Sequence, residues 1–397
     1  MVFKKRREAV MLSLSQPSQL SGNSMTITLY GTPLSLYTGK PRSYFIKAGL
    51  AYRETAPTSA HYNEVVLPQA GQRRGIPVIE TENGTVLRDS TAIIDHFESE
   101  TGHHFSPTST KQRFVSRLLD VIGMEGLLRP AMHYRWDFPA QNDFMLKFHF
   151  AMLVPESMDR ESLSVKTMGR MRAAGHGFGA LPEAFPLIEQ LYEQLLEKMT
   201  VHFSSYPYFL GYKPSIGDFG MIAPLYGHLG RDPAPLRLMQ TQAVQVLRWV
   251  ERMNRPELDQ GEFTIQGDDY LAEDEIPATL IDVLRHIAID FMPETRAAVA
   301  YTNQWLDDQT ELAAGRVADR AIGMSEFEVQ GQTIKAIVQP YRFFLLQRVF
   351  AEYDAQDSTG RAELDALLQQ CDMGDLMSLW INRTIGRADN LEVWQSV

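Results

Sequence analysis

Cysteine is almost missing from this sequence: Cys371 is the only one in 397 residues. One thiol excludes an intrachain disulfide framework and any metal site built on paired cysteines, and such usage suits a reducing, cytoplasmic setting. Long apolar runs are missing too. The longest falls well short of the ~20 residues that span a bilayer as a helix, so no membrane partner is expected. The stretch "AVMLSL" after the basic cluster is too short and too poorly flanked for a signal peptide. Clustered positive charge occurs only in the N-terminal "KKRR", within a net charge of −11. Phosphate neutralisation needs a local excess of Lys and Arg, so a general nucleic-acid binder is excluded as well.

What is present is enough apolar material, 44% of residues, to build more than one core. A chain of this length favours two or three domains. Residues 1–24 have the composition of a disordered tail, basic and then rich in Ser, Gln, Pro and Gly. Met25, directly before the first strand, reads as the natural start. From Thr26 the pattern predicts a strand to Tyr30, a loop, a helix over about 42–48 with Gly49 as its C-cap, and a strand around 51–55. A short helical stretch follows around His61 to Leu67. Next, "VIE" and "TVL" flank Asn83-Gly84, a strong hairpin signal. In "RDSTAIIDHFE", Asp89 or Ser90 caps a helix whose Ile93, Ile94 and Phe97 share one face. Residues 25–105 therefore predict a βαβαββα domain.

Beyond Lys111 the signals are almost all helical. The stretches "RFVSRLLDVIGMEGLL", "FPLIEQLYEQLLEKM", "TQAVQVLRWVERM", "TLIDVLRHIAIDFM" and "ETRAAVAYTNQWLDD" carry apolar faces at a 3.6-residue period. They predict an all-α domain over 111–320. A C-terminal extension over 325–397 opens with a small hairpin around Gly331 in "FEVQGQTIKAIV" and returns to helix in "YRFFLLQRVFAEY".

The stretches "LYGTPLSLYTGKPR", "GIPVIE", "LRDSTAIIDHFE" and "YFLGYKPSIGDFG", in this order, resemble the cytosolic glutathione transferase superfamily over about residues 25–230. The resemblance implies a thioredoxin-like α/β first domain, an all-helical second domain, glutathione as co-substrate, no metal, and a homodimer in which the first domain packs on the partner's helices. It also implies that the Ile76–Pro77 bond is cis, so that Ile76 offers its backbone to the cysteinyl part of glutathione. Asp89 and Ser90 would meet the ammonium and α-carboxylate of the γ-glutamyl group at a helix N-terminus. The opening loop would hold the group that stabilises the thiolate. Counting back from Gly49 selects Ser35, with Tyr37 and Thr38 as near rivals. With no Cys in that loop, hydroxyl chemistry is the only kind available. Leu36, where proline is common, and Pro41, which disfavours helical geometry at Lys40, depart from the family's loop and imply a late helix start that draws Ser35 away from the dipole.

Other motifs read as structural. Ser215 and Asp218 in "PSIGDFG" form an S-x-x-D capping box. His103-His104 lack metal-ligand spacing, and "GHGFG" (175–179) predicts a flexible loop rather than a phosphate cradle. "DAQDSTGRAELD" puts Ala355 and Ala366 where a calcium loop needs carboxylates. Tyr134, Arg135 and Trp136 are candidates to line a pocket for the electrophile, or else to pack a domain interface. The leading expectation is a transferase in which the glutathione thiolate attacks a small hydrophobic electrophile. A non-catalytic ligand-binding or protein-interaction module on the same fold is the alternative, and a glutathione-dependent isomerase or lyase would share the same binding residues.

Overall fold

The computed structural model describes residues 26–309 and 311–396; the expected tail, 1–24, lies outside them. Strand β1 (Ile27–Tyr30) buries Ile27 and Leu29 on one face and Tyr30 on the other. Helix α1 (Leu36–Lys47) then returns the chain to β2 (Tyr52–Thr55), which runs parallel to β1 with Ile27 opposite Tyr52. A π-helical turn (Tyr62–Val66) leads into the short α2 (Leu67–Gln69). Strands β3 (Val78–Glu80) and β4 (Val86–Arg88) pair antiparallel around Gly84, whose φ of +83° suits a residue without Cβ. Helix α3 (Ser90–Thr101) closes the domain. The strand order is β2-β1-β3-β4, with only β2 parallel to β1. This is the expected βαβαββα thioredoxin-like sheet. One face packs on α1 and α3 through Phe45, Ile79, Ile93, Ile94 and Phe97. The other is covered by the π-helical turn and α2 through Tyr62, Val66 and Leu67. Each fully buried side chain of this kind contributes about 1.5–3 kcal/mol.

One boundary differs from expectation. Helix α1 starts at Leu36, not near Arg42, and Pro41 lies inside it. Pro41 forfeits one backbone bond, yet the helix holds because Ser35 caps it and because Leu36, Tyr44 and Phe45 are buried.

The helical part comprises α4 (Thr110–Val121), a π-helical turn (Ile122–Gly126), α5 (Leu128–Trp136), α6 (Pro139–Ala151), α7 (Arg160–His176), α8 (Phe185–Phe203), α9 (Ile216–Gly227), α10 (Pro233–Gln242), α11 (Val244–Met253) and α12 (Ala278–Asp308). The two helical stretches read around residues 279–308 are one continuous α12, which runs through Pro293. Between α11 and α12 the chain is largely irregular. Leu271 there donates its N–H to the Leu210 carbonyl and Gln260 binds carbonyls of residues 212 and 267, so the segment is a wrapped surface strap rather than a helix. Among the described residues no helix is long and apolar enough to cross a membrane.

After α12 come β5 (Gly323–Val329) and β6 (Gln332–Val338), an antiparallel pair that sets Phe327, Val329, Ile334 and Ala336 against α8 and α12. Loop 177–179, expected to be flexible, is pinned to this hairpin. Gly177 accepts the Ile337 N–H at 2.7 Å, and a Cβ on Gly179 would lie 2.6 Å from Ile334 Cγ2. Helices α13 (Pro340–Asp354) and α14 (Ser358–Gln370) follow, with Asp357 capping α14 in the segment rejected as a calcium loop. Helix α13 lies along α4, joined by Arg113–Glu352 at 2.6 Å, and reaches α3 by Arg348–Asp95 at 2.5 Å. The chain ends in a second hairpin, β7 (Ile385–Ala388) and β8 (Leu391–Trp394). Sequence reading did not anticipate it.

The capping box does more than start a helix. Asp218 Oδ2 accepts from the Ser215 N–H and hydroxyl, both at 2.9 Å, while Oδ1 accepts from Trp249 Nε1 at 3.1 Å and the Phe209 N–H at 3.2 Å. Asp218→Ala strands all these buried donors and is expected to destabilise the protein by about 3 kcal/mol or more, checked by denaturant unfolding; a loss under about 1 kcal/mol would contradict this role. A pH effect follows from His202, fully buried against Thr279 Oγ1 at 2.9 Å. Burial holds its pKa at about 4, below the ordinary 6.5. A depressed folded-state pKa contributes stability that is whole above pH 6.5 and is lost as pH falls toward 4. His202→Gln should therefore remove up to about 3 kcal/mol of acid-dependent destabilisation in that window, measured as urea midpoints at pH 7 and 4.5; an unchanged slope would count against it.

Candidate functional site

The site expected from sequence centres on the end of β4. Asp89 has φ +86°, a left-handed value that is costly for a residue with a side chain and is associated with functional turns. The turn is held because Asp89 N–H bonds the Pro77 carbonyl at 3.2 Å, while Oδ1 caps α3 by accepting the N–H groups of Thr91 (3.0 Å) and Ala92 (3.2 Å). This brings Asp89 and Ser90 beside the Ile76–Pro77 bond, which is cis. Ser90 is 1% exposed and its Oγ has no hydrogen-bond partner among the described residues. A buried hydroxyl left unpaired costs free energy that a bound acceptor would recover. Below it, Lys40 of α1, fully buried, donates to Thr91 Oγ1 at 2.8 Å and to Asp120 at 2.6 Å, so α1, α3 and α4 meet at one amine.

Ser35 is the N-cap of α1, its Oγ accepting the Thr38 N–H at 3.2 Å. The expected late start does not occur, and Ser35 stands directly at the helix's positive end. The loop before it is fixed from the helical domain: Arg135 donates to the Leu34 carbonyl at 2.7 Å. Of the two rivals, Thr38 is packed against Gly31, whose Cβ, if present, would lie 2.2 Å from Thr38 Cγ2. Tyr37 is half-buried, and burial, followed by the carboxylates of Glu125 and Asp89, raises its phenol pKa. Its hydroxyl therefore belongs to the same electrostatic neighbourhood as Asp89.

Glu125 is a site neighbour that sequence reading missed. It sits in the π-helical turn Ile122–Gly126, a geometry common at functional sites. It is buried, with Oε2 unpaired among the described residues. Burial raises its pKa to about 8; Arg342 lowers it, and Glu294 and Asp89 raise it.

The candidate electrophile pocket is corrected. Tyr134, Arg135 and Trp136 are all at least 96% buried and packed. Tyr134 stacks on Phe138 and leans on Tyr192. Arg135 is spent on Asp232 at 2.6 Å and on the carbonyls of Leu34 and Gly227, both at 2.7 Å. Trp136 lies among Leu34, Met132, Leu146, Phe150 and Met168. Arg135 and Trp136 thus join the helices to Leu34 of the first domain, while Tyr134 packs within the helical part.

The C-terminal extension reaches the same site. Tyr341 of α13 donates its hydroxyl to Asp89 Oδ2 at 2.7 Å, and Arg387 of β7 stands 3.7 Å from Oδ1. No local signal in the sequence joins residues some 250 positions apart. The turn at Asp389-Asn390, with φ +48° and +64°, was a readable hairpin signal.

Residues 29–120 match the family described as the Glutathione S-transferase, N-terminal domain. None of the curated proteins matches the chain. Similar solved structures include glutathione S-transferases from Xanthobacter autotrophicus Py2 (18% identity over 62% of this chain and 97% of that one, TM-score 0.33) and from Rhodospirillum rubrum F11 (14%, 65% and 99%, TM-score 0.35). Another, from Methylobacterium radiotolerans JCM 2831 in complex with glutathione sulfonate, shares 13% identity over 62% of this chain and all of that one, with TM-score 0.35.

Glu125 generates a prediction of opposite sign to that of His202. A carboxyl whose pKa rises to about 8 in the fold contributes stability that is whole below the ordinary 4.5 and is lost as pH rises through 8. Glu125→Gln should thus gain melting temperature relative to the native protein as pH goes from 4.5 to 8.5, the change reaching a few kcal/mol in order of magnitude. A pH-independent difference between the two proteins would refute the buried, protonated state.

Proposed function

We propose, on the match of residues 29–120 to the Glutathione S-transferase N-terminal domain, a glutathione transferase-like enzyme that turns bound glutathione on a small hydrophobic electrophile. The observation that carries this reading is the pair at the start of α3: the Asp89 carboxylate beside the buried, unpaired Ser90 hydroxyl. An acid next to a hydroxyl at a helix N-terminus suits an amino-acid end group, whose ammonium and carboxylate lie two bonds apart. Ile76 and Pro77 would carry the cysteinyl backbone beside it. Ser35, at the N-terminus of α1, would donate to the thiolate, where hydroxyl and helix dipole together lower a thiol pKa from about 8.5. The chain contributes no covalent nucleophile; its share is binding, orientation and stabilisation of negative charge on sulfur.

A second reading is favoured by a specific observation. Asp89 already accepts the Tyr341 hydroxyl, and Arg387 stands over its other oxygen. A non-catalytic glutathione transferase-fold module, its ligand cleft filled by its own extension, accounts for these contacts without chemistry. The homodimer implied by the resemblance meets the same cover, since α13 already lies along α4.

The test is calorimetric titration with reduced glutathione, together with thiolate ultraviolet absorbance. Ser90→Ala is expected to weaken binding at least tenfold. Ser35→Ala should lose the thiolate band while binding persists, with Ser35→Thr, which keeps the α1 cap, as control. Absence of binding at millimolar glutathione would remove the enzyme reading and leave the module.

A further inference from the structure

The last hairpin is held to the first domain by groups that imitate a ligand. Glu392 of β8, 5% exposed, gathers Arg88 at 2.7 Å, Arg387 at 2.9 Å and Arg73 at 3.6 Å. Two of these guanidinium groups, Arg73 and Arg88, belong to the N-terminal domain, and without the hairpin they form a carboxylate site next to Asp89. Asn390 copies a peptide group against the sheet edge. Its Oδ1 accepts the Arg88 N–H at 3.1 Å, and its Nδ2 donates to the carbonyls of Val86 and Gln69, both at 3.0 Å. The fit is close: a Cβ on Gly71, where φ is +80°, would lie 2.6 Å from Leu391 Cγ and 2.9 Å from the Asp389 carbonyl. From α13, Tyr341 adds its hydroxyl to Asp89. Ser90, beneath this cover, has almost no exposed surface.

The two ends of the hairpin are built differently. Its base carries Ile385, Val393 and Trp394, all buried, with Trp394 stacked on Trp305. Its tip, residues 388–391, touches the first domain through the hydrogen bonds of Asn390 and one apolar side chain, Leu391 against Gly71, while the arginine contacts to Glu392 sit just behind it. Two four-residue strands have little stability of their own. An anchored apolar base and a tip fastened mainly by exchangeable polar bonds make a flap.

We propose that the β7–β8 tip, with Tyr341, is an intramolecular competitor for the glutathione site, and that a glutathione-type ligand, a peptide with two carboxylates and one ammonium, binds as the tip lifts. The ligand's second carboxylate, at its glycyl end, replaces Glu392 at the arginines, and its amino-acid end replaces Tyr341 at Asp89. This rests on the reading of Asp89 and Ser90 as glutathione-binding, and the two can fail separately.

The experiment uses the full chain and reduced glutathione. Calorimetry on Asn390→Ala, Glu392→Gln and Tyr341→Phe is expected to give a Kd at least tenfold tighter than that of the native protein. Hydrogen exchange of the amides of residues 388–391 in the native protein should quicken at least tenfold when glutathione is added. Tip variants that bind more weakly would overturn the proposal and make the hairpin part of the site. Unchanged affinity and unchanged exchange, with binding still lost in Ser90→Ala, would remove the competitor and keep the glutathione site. No binding by any protein at millimolar glutathione removes both. A variant that fails to fold is recognised by its lost melting transition, and the exchange measurement on the native protein then decides.

Discussion

A fully buried ion pair sits where the first domain meets the helices that carry the rest of the molecule. Lys40 has no exposed surface, yet its ammonium meets Asp120 at 2.6 Å and Thr91 at 2.8 Å. A pair this deep adds little net stability over an apolar one, but loss of either member strands a buried charge and costs about 3–5 kcal/mol. Its effect is therefore geometric: α1, α3 and α4 have one mutual arrangement. The neighbouring helix leaves no slack either. A Cβ on Gly220 of α9 would lie 2.4 Å from Asp120 Cα, and one on Gly123 would lie 2.2 Å from the Gly220 carbonyl. The N-termini of α1 and α3, where Ser35 and Asp89 stand, are fixed relative to each other by this crossing.

The C-terminal extension is fastened in two ways. The β5–β6 hairpin is bound by apolar contact, with Phe327 and Ile334 against α8 and α12, an attachment that charge screening does not weaken. Helix α13 and the β7–β8 hairpin instead meet the first domain mainly through charge and hydrogen bonds, Arg348 to Asp95, Tyr341 to Asp89, and Arg73 and Arg88 to Glu392, with Leu391 on Gly71 as an apolar contact. Such bonds exchange for equivalent bonds to another solute at small net cost. One portion of the extension thus belongs to the core, and the other is held largely by polar contacts.

What could be read in the sequence follows the range of each interaction. The βαβαββα order, the Asn83-Gly84 turn and the Ser215–Asp218 box come from residues a few positions apart, where periodicity and capping act directly. The start of α1 was misjudged because Pro41 was weighed by its local backbone preference, while Ser35, Leu36 and Phe45 supply capping and burial that outweigh one lost bond. The chemical type of Tyr134, Arg135 and Trp136 suits a pocket wall and domain packing alike; only the fold reveals Asp232 and Phe138 as partners. Glu125 and Tyr341 carried no signal, because what makes them matter is proximity to Asp89 across 36 and 252 positions.

Separation along the chain also orders events during synthesis. Arg88 and Asn390, paired in the folded protein, are 302 residues apart. At about 5–20 residues per second, the platform around Asp89 leaves the ribosome tens of seconds before the hairpin that covers it. During that interval the nascent first domain presents its arginines and the Ser90 hydroxyl uncovered. A small carboxylate solute able to bind there would then meet the site before the chain's own Glu392 does, as a folding partner rather than as an intruder.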